Sequence, residues 1–387
     1  MKWLLVALLV LHGLLHFMGV AKAAGLAELP QLTQPVSRGT GVLWLAGGLA
    51  LLASAALFVW APRYWWMVGL VAVVLSQLAI ATSWSDARFG TVANLIVLAA
   101  VAYGFASRGP LSFRAEYERD VRARLAAETA GAEGVSAAAG TPAGTSAEPL
   151  AEDDPARLPE PVRRYLHTTG AVGHPAPRHF EARWRGRIRA TADDPWMEFT
   201  AVQHNFLDPP ARFFLMDARR SGLPVDVYHA YEGGRASMRV RLLSAVPIVN
   251  AAGTVMDRAE AVTVFNDIAL LAPGGLADER ILWEEIDDTS ARGHYTIGPI
   301  TVTATLSFNE VGELVDFVSD DRAMASKDGT EFEPQRWSTP ISEYRAFGPM
   351  RITARGEGRW HLPEGAFTYI ELELIDMAWN PGVGPQR

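Results

Sequence analysis

The chain contains no cysteine. Disulfides, thiolate metal sites and cysteine nucleophiles are therefore excluded, although the compartment is left open. Acidic residues are nearly missing from positions 1–108, where only Glu28 and Asp86 stand against six Lys and Arg. The remainder holds 41 of the 43 acids and 29 of the 35 basic residues, a net charge of −12. So acidic a portion argues against nucleic acid as a partner. Also lacking are a G-x-S-x-G elbow, a P-loop, a G-x-G-x-x-G after a strand and an H-E-x-x-H pair. No ligand set calls for a metal or an organic cofactor.

Present instead are long apolar runs, at 3–20, 41–60, 64–81 and 91–106. Each approaches the roughly 20 residues that a helix needs to cross a bilayer core. Trp60, Tyr64, Trp65, Trp66 and Trp84 stand at their ends, where interfacial aromatic belts lie. The first run, with Ala21-Lys22-Ala23 after it, also has the outline of a cleaved signal peptide, but it outlasts the usual apolar region of one. Lys2, Arg63 and Arg108 fall on one side of a four-span arrangement, and Lys22, Arg38 and Arg88 on the other. Adding Arg114, Arg119, Arg122 and Arg124 to the first side makes it the cytoplasmic one. The expectation is an integral protein of the inner or plasma membrane with its soluble portion in the cytoplasm. His12 and His16 share a face of the first run, and Gln77 in the third can join them. Ionisable groups at membrane depth are functional candidates, but two histidines alone make a weak ligand set, and hydrogen bonding inside the bundle is the plainer expectation.

Residues 112–130 are charged and helix-prone, and 131–154 are rich in Ala, Gly, Glu, Pro, Ser and Thr, the composition of a flexible tether. A short helix follows near 158–167, with prolines where a helix start tolerates them. The expected domains are therefore 1–108, a four-helix transmembrane bundle; 109–157, a juxtamembrane helix and linker; and 158–381, a β-rich domain.

In that last portion apolar and polar residues alternate. Ile300, Val302, Ala304, Leu306 and Phe308 interleave with Thr301, Thr303, Thr305 and Ser307, and Ile370, Leu372 and Leu374 with Glu371 and Glu373. Alternation of this kind marks antiparallel sheets with one buried and one wet face. Rows of arginine at 183, 185, 187 and 189 suit a solvated face balanced by acidic neighbours. One long helix interrupts the strands, at 259–273, with Asp257 as N-cap and Glu260 at capping-box spacing. The predicted fold is an α+β domain: a strongly curved antiparallel sheet or half-barrel, its apolar hollow covered by that one amphipathic helix.

Several stretches resemble DUF6544 (formerly DUF6920), a family of unknown function. They are Leu158-Pro159-Glu160-Pro161-Val162-Arg163-Arg164-Tyr165-Leu166, Ala259 to Asp267 (AEAVTVFND), Ser319-Asp320-Asp321-Arg322 and Trp337-Ser338-Thr339-Pro340. The N-terminal portion, through His16 to Lys22 and the glycines at 41–48, faintly resembles DoxX-like four-helix membrane proteins. By analogy of fold, the β portion is similar to LolA-like half-barrels. These resemblances imply no catalytic residues. Read physically, the matching stretches hold a polar cluster: Glu260, Asn266, Asp267, Trp283, Asp320, Asp321, Arg322 and Trp337, with Arg322 expected to bridge the helix carboxylates to the strand ends. The leading expectation is a membrane-anchored, non-enzymatic protein that binds a lipid or other apolar ligand in the hollow. The alternative is a membrane enzyme with an acidic site at Asp267, Asp320 and Asp321, acting on a lipid-linked or small polar substrate.

Overall fold

The structure, a computed structural model, describes residues 2–139, 150, 157–326 and 331–381, with side chains omitted over 131–139. The chain divides into two compact units, Met1–Glu116 and Tyr117–Arg387.

In the first unit, α1 (Lys2–Ala23), α2 (Arg38–Trp60), α3 (Trp65–Thr82), the single turn α4 (Trp84–Ala87) and α5 (Gly90–Arg108) follow the four apolar runs. Neighbours pack in a closed ring: α1 on α2, α2 on α3, α3 on α5 and α5 on α1. Small residues set the closeness of approach. A Cβ on Gly19 would lie 2.3 Å from the Trp44 ring, and one on Gly48 would lie 3.0 Å from the Gly13 carbonyl. Leu4, Leu11, Val42 and Val71 point outward and are exposed. Four helices, α1, α2, α3 and the one opening at Gly90, are long and apolar enough to cross a membrane.

Helix α6 (Phe113–Ala139) continues into the stretch expected to be a tether; the rest of that stretch, 140–149 and 151–156, lies outside the described residues. Within the second unit α6 covers the outer face of the sheet. The Tyr228 hydroxyl donates to Asp120, and Arg124 donates to the Pro209 carbonyl at 2.7 Å. Helix α7 (Glu160–Thr169) carries a proline in its first turn and ends at Gly170 in the left-handed region, φ +73°. The hydroxyl of its buried Tyr165 donates to the Ala269 carbonyl at 2.8 Å.

Strands β1 (His179–Ile188), β2 (Met197–Leu207), β3 (Pro210–Arg220), β4 (Leu223–Glu232), β5 (Arg235–Leu242) and β6 (Val246–Ala252) form one antiparallel meander. After α8 (Thr254–Leu271) and a 3-10 turn at Pro273–Ala277 comes a second meander, β7 (Ile281–Asp287), β8 (Ser290–Ile297), β9 (Ile300–Phe308) and β10 (Leu314–Ser319). A hairpin of β11 (Ala323–Ala325) and β12 (Phe332–Pro334) stands apart. Then β13 (Trp337–Ser338), β14 (Ile341–Phe347), β15 (Met350–Leu362) and β16 (Gly365–Trp379) close the chain. All large-sheet strands join in the order β6-β5-β4-β3-β2-β1-β16-β15-β13-β10-β9-β8-β7, with β14 beside β15.

The curvature follows from what α8 touches. It packs against β3, β5 and β6 and also against β9, β10 and β15. Strands lie about 4.8 Å apart, so β5 and β9 would be about 40 Å apart in a flat sheet. A helix roughly 10 Å across reaches both only if the sheet curls around it. The fold is therefore a curled antiparallel half-barrel with α8 laid along its concave face.

Two expectations change in detail. Helix α8 starts at Thr254, capped by Gly253, and Asp257 instead accepts the Ala236 N–H at 2.6 Å. Nor is α8 amphipathic toward solvent: nearly every residue from Ala259 to Leu271 is buried, and its polar stripe of Glu260, Thr263 and Asp267 faces the protein interior. The stretch 236–250 lies in the β5–β6 hairpin. Its turn holds Leu243 and Ser244 at φ +54° and +58°, a conformation normally marked by glycine. On the outer face the arginine rows are paired: Arg185 and Arg187 stand directly opposite Glu373 and Glu371, at 2.8 and 2.7 Å.

Candidate functional site: a cavity with a charged floor

Between α8, the concave face and the β11–β12 hairpin lies a half-enclosed cavity of about 620 Å³. Its walls are mostly apolar, with Trp184, Phe214, Met216, Val227, Met238 and Leu270 among them. Strand register explains the lining. Gln203 is opposite Phe214, which is opposite His229, which is opposite Met238. Asn205 faces Arg212 in the next row. With a period of two, all of these point to the concave side.

The polar members meet the polar stripe of α8. Arg212 Nε donates to Asp267 Oδ2 at 2.7 Å, and another of its nitrogens reaches Glu260 Oε2 at 3.3 Å. Gln203 and Asn205 also donate to Asp267 Oδ2, at 2.6 and 3.0 Å. The Trp184 indole donates to Gln203 Oε1 at 3.1 Å. Thr263 Oγ1 donates to Glu260 Oε1 at 3.0 Å, and the His229 ring lies 3.3 Å from that oxygen.

Burial alone would raise the Glu260 carboxyl, but the His229 ring, the Arg212 and Arg322 guanidiniums and the Thr263 hydroxyl hold it below the usual range. Burial pushes Asp267 up, against the pull of Arg212 and Asn205. Burial also takes His229 down to about 4, against the pull of Glu260.

Arg322 follows β10 and lines the same cavity. Its guanidinium lies 4.3 Å from the Trp337 ring centre and 5.6 Å from that of Trp360, and it donates to Thr263 Oγ1 at 3.0 Å. Five buried atoms of cavity-lining residues have no hydrogen-bond partner: His229 Nε2, Arg322 Nε, Trp337 Nε1, Thr339 Oγ1 and Asn266 Oδ1.

The structure thus brings Glu260, Asn266, Asp267, Arg322 and Trp337 to one cavity. Trp283 goes elsewhere: it packs on Phe265 and donates to the Leu276 carbonyl at 3.2 Å. Asp320 pairs with Arg336 at 2.8 Å on the surface. Asp321 pairs with Arg258 at 2.7 Å and accepts the Thr303 N–H. Both acids line a separate groove, so Asp267, Asp320 and Asp321 do not share a site. The residue that bridges the helix carboxylates is Arg212, not Arg322. The sequence alone does not single out Arg212, Gln203, Asn205 or His229. The available signal was their parity: polar residues at the inward positions of otherwise apolar strands. Among the described residues, no three His, Asp or Glu side chains converge where a metal ion could sit.

In the first unit His12, His16 and Gln77 do come together. His12 Nε2 lies 3.1 Å from Ser76 Oγ and 3.0 Å from Asn94 Oδ1. Asn94 donates to Gln77 Oε1 at 3.0 Å, and Gln77 to Thr91 at 3.1 Å. His16 Nδ1 donates to the His12 carbonyl at 2.9 Å. These hydrogen bonds link α1, α3 and α5, buried at His12, Ser76 and Asn94 and part-buried at Gln77 and Thr91, and leave His16 Nε2 without a partner.

A curled antiparallel half-barrel around an apolar cavity with a charged floor defines the class of the second unit. The chain belongs to the family of unknown function DUF6544, whose pattern it matches over residues 148–372, more than half its length. Among solved structures it is similar to a LolA-superfamily protein from Nitrosomonas europaea, at 12% identity and TM-score 0.33, over 57% of this chain and 94% of that one. It is similar also to a DUF1329 family protein from Desulfovibrio piger, at 12% identity and TM-score 0.33, over 62% and 96%. A third is the lipoprotein LppX of Mycobacterium tuberculosis, at 12% identity and TM-score 0.19, over 58% and 96%. No curated protein matches the chain.

Proposed function

We propose that the protein is a membrane-anchored binder of a lipid or other apolar, chain-like ligand, held between α8 and the concave face of the sheet. The observation that carries this reading is the cavity itself. At about 620 Å³ it falls in the range of roughly 300–1,000 Å³ typical of small-molecule sites, and most of its lining is apolar. So much apolar surface is not left beside a void without cost, and an alkyl chain would remove it from water. The four apolar helices supply the anchor. The bias of Lys and Arg between their connections supports a cytoplasmic position for the β unit, at an inner or plasma membrane. The polar floor serves this role as a rigid base, because its carboxylates are engaged by Arg212, Gln203, Asn205 and Thr263 rather than free to exchange protons with a substrate. Native mass spectrometry of the full chain, released from its membrane, tests the proposal. A non-covalent adduct of lipid mass is expected; a bare chain in every preparation would contradict it.

A further inference from the structure

Two guanidiniums stand at the cavity floor, and they differ in one respect. Arg212 is engaged by two carboxylates, Asp267 and Glu260. Among the described residues Arg322 has no carboxylate within 4 Å. Its charge is met by two indole faces and one threonine hydroxyl, and its Nε has no acceptor. Glu260, which faces this corner, already takes Arg212 on one oxygen and Thr263 on the other. Two further buried groups capable of donating lack partners, Trp337 Nε1, whose ring lies against Arg322, and Thr339 Oγ1 in the lining of the same cavity. Unpaired donors and a cation without a contact ion pair are costly in an apolar surround, and such a site is completed by an acceptor carrying negative charge. Arg189, also on the cavity wall, is a poorer candidate, because it already donates to the Thr368 and Ala192 carbonyls.

Resting on the reading of the cavity as an apolar binding site, we infer that its ligand is an anionic amphiphile. The alkyl chain fills the apolar volume, and a carboxylate or phosphate head is received at Arg322, beside Trp337 and Thr339. A guanidinium presents its donors as a planar fork, the geometry that matches either head group.

The test uses the full chain in amphipol and four probes: oleate, oleyl alcohol, dioleoyl phosphatidic acid and dioleoylglycerol. One-to-one complexes are counted by native mass spectrometry across a titration. At least one acid is expected to bind roughly tenfold more tightly than its neutral counterpart, the scale of one charge-assisted hydrogen bond. Arg322→Gln is expected to abolish that preference by weakening the acid alone. Neutral-probe binding then reports that the variant is folded. If the glutamine variant loses neutral binding too, Arg322→Lys replaces it; the lysine keeps the charge and must keep the preference, and equal binding of acid and neutral probe by it would overturn the inference. Preference for oleate alone assigns a free carboxylate, and preference for phosphatidic acid alone assigns a phosphate; either supports the proposal. Equal binding of acids and neutral probes by the native chain overturns it while leaving the apolar site intact. Binding of none of the four removes both.

Discussion

Both units bury polar side chains, and they do so to opposite effect. In the helical unit hydrogen bonds run from His12 through Ser76, Asn94 and Gln77 to Thr91 and tie α1, α3 and α5 together, and the unpaired atoms of that unit, His16 Nε2, Trp44 Nε1 and Ser54 Oγ among them, belong to residues that do not line the cavity. In the β unit the salt-bridged floor is equally well made around Asp267, yet it gives way to Arg322, Trp337 and Thr339, whose unused donors belong to residues lining a void. Polar bonds between helices hold elements together, whereas unused donors beside an apolar cavity ask for a ligand. The comparison shows that buried polarity by itself does not mark a functional site. What marks it is polarity left incomplete next to unfilled space.

The largest expected effect falls on the floor. Arg212→Met leaves Glu260 and Asp267 without their shared cation in the interior, a loss of about 3–5 kcal/mol. Denaturant unfolding of the full chain, followed by near-ultraviolet circular dichroism, measures it. A loss below 1 kcal/mol would mean that the floor is not the rigid base described.

Next comes an acid dependence of the β unit. His179 and His204 stack at the sheet–α6 contact with ring nitrogens 3.1 Å apart. Burial first, then a neighbouring charge in each case (Arg178 and His179), takes them down to about 4 and about 3. Both values lie below the unfolded value near 6.5, so the unfolded chain binds more protons in between. Stability is then complete above pH 6.5 and falls as pH drops through that window. The expected loss between pH 7 and pH 5 is about 2 kcal/mol per ring. Unfolding midpoints at a series of pH values test this, and His204→Phe should flatten the slope. A native slope of opposite sign would refute the assignment.

The smallest effect belongs to the helical unit. Asn94→Leu cuts the network at its branch point and should cost about 1 kcal/mol, since membrane-buried hydrogen bonds contribute little individually. Thermal unfolding in amphipol reads the loss, and the affinity for the four probes should not move. A change in probe affinity would break the division between the two kinds of buried polarity.

Much of this was legible in the sequence, and the failures have physical reasons. Alternation over Ile300–Phe308 and Ile370–Leu374 marked strands because each face of the sheet meets a different environment. Polar residues in the apolar segment that became α8 marked Glu260, Asn266 and Asp267, since such groups are retained in a buried helix only when partnered. Their partner Arg212 lies 55 residues away from Asp267, and only the curl of the sheet brings the two together. Asp320 and Asp321 border a groove with Arg322 but are taken by other arginines, Arg336 and Arg258, at positions the chain order does not show. The Leu243-Ser244 turn escaped because residues other than glycine hold its left-handed conformation.

The most direct test asks where the ligand sits. The full chain is irradiated with a fatty acid that carries a diazirine on its alkyl chain, and the labelled peptides are mapped. The account predicts labels on β3 to β5 and α8, at or beside Met216, Met238 and Leu270, competed away by excess oleate. Competable labelling confined to α1, α2, α3 and α5, with the β unit unmarked, would contradict it.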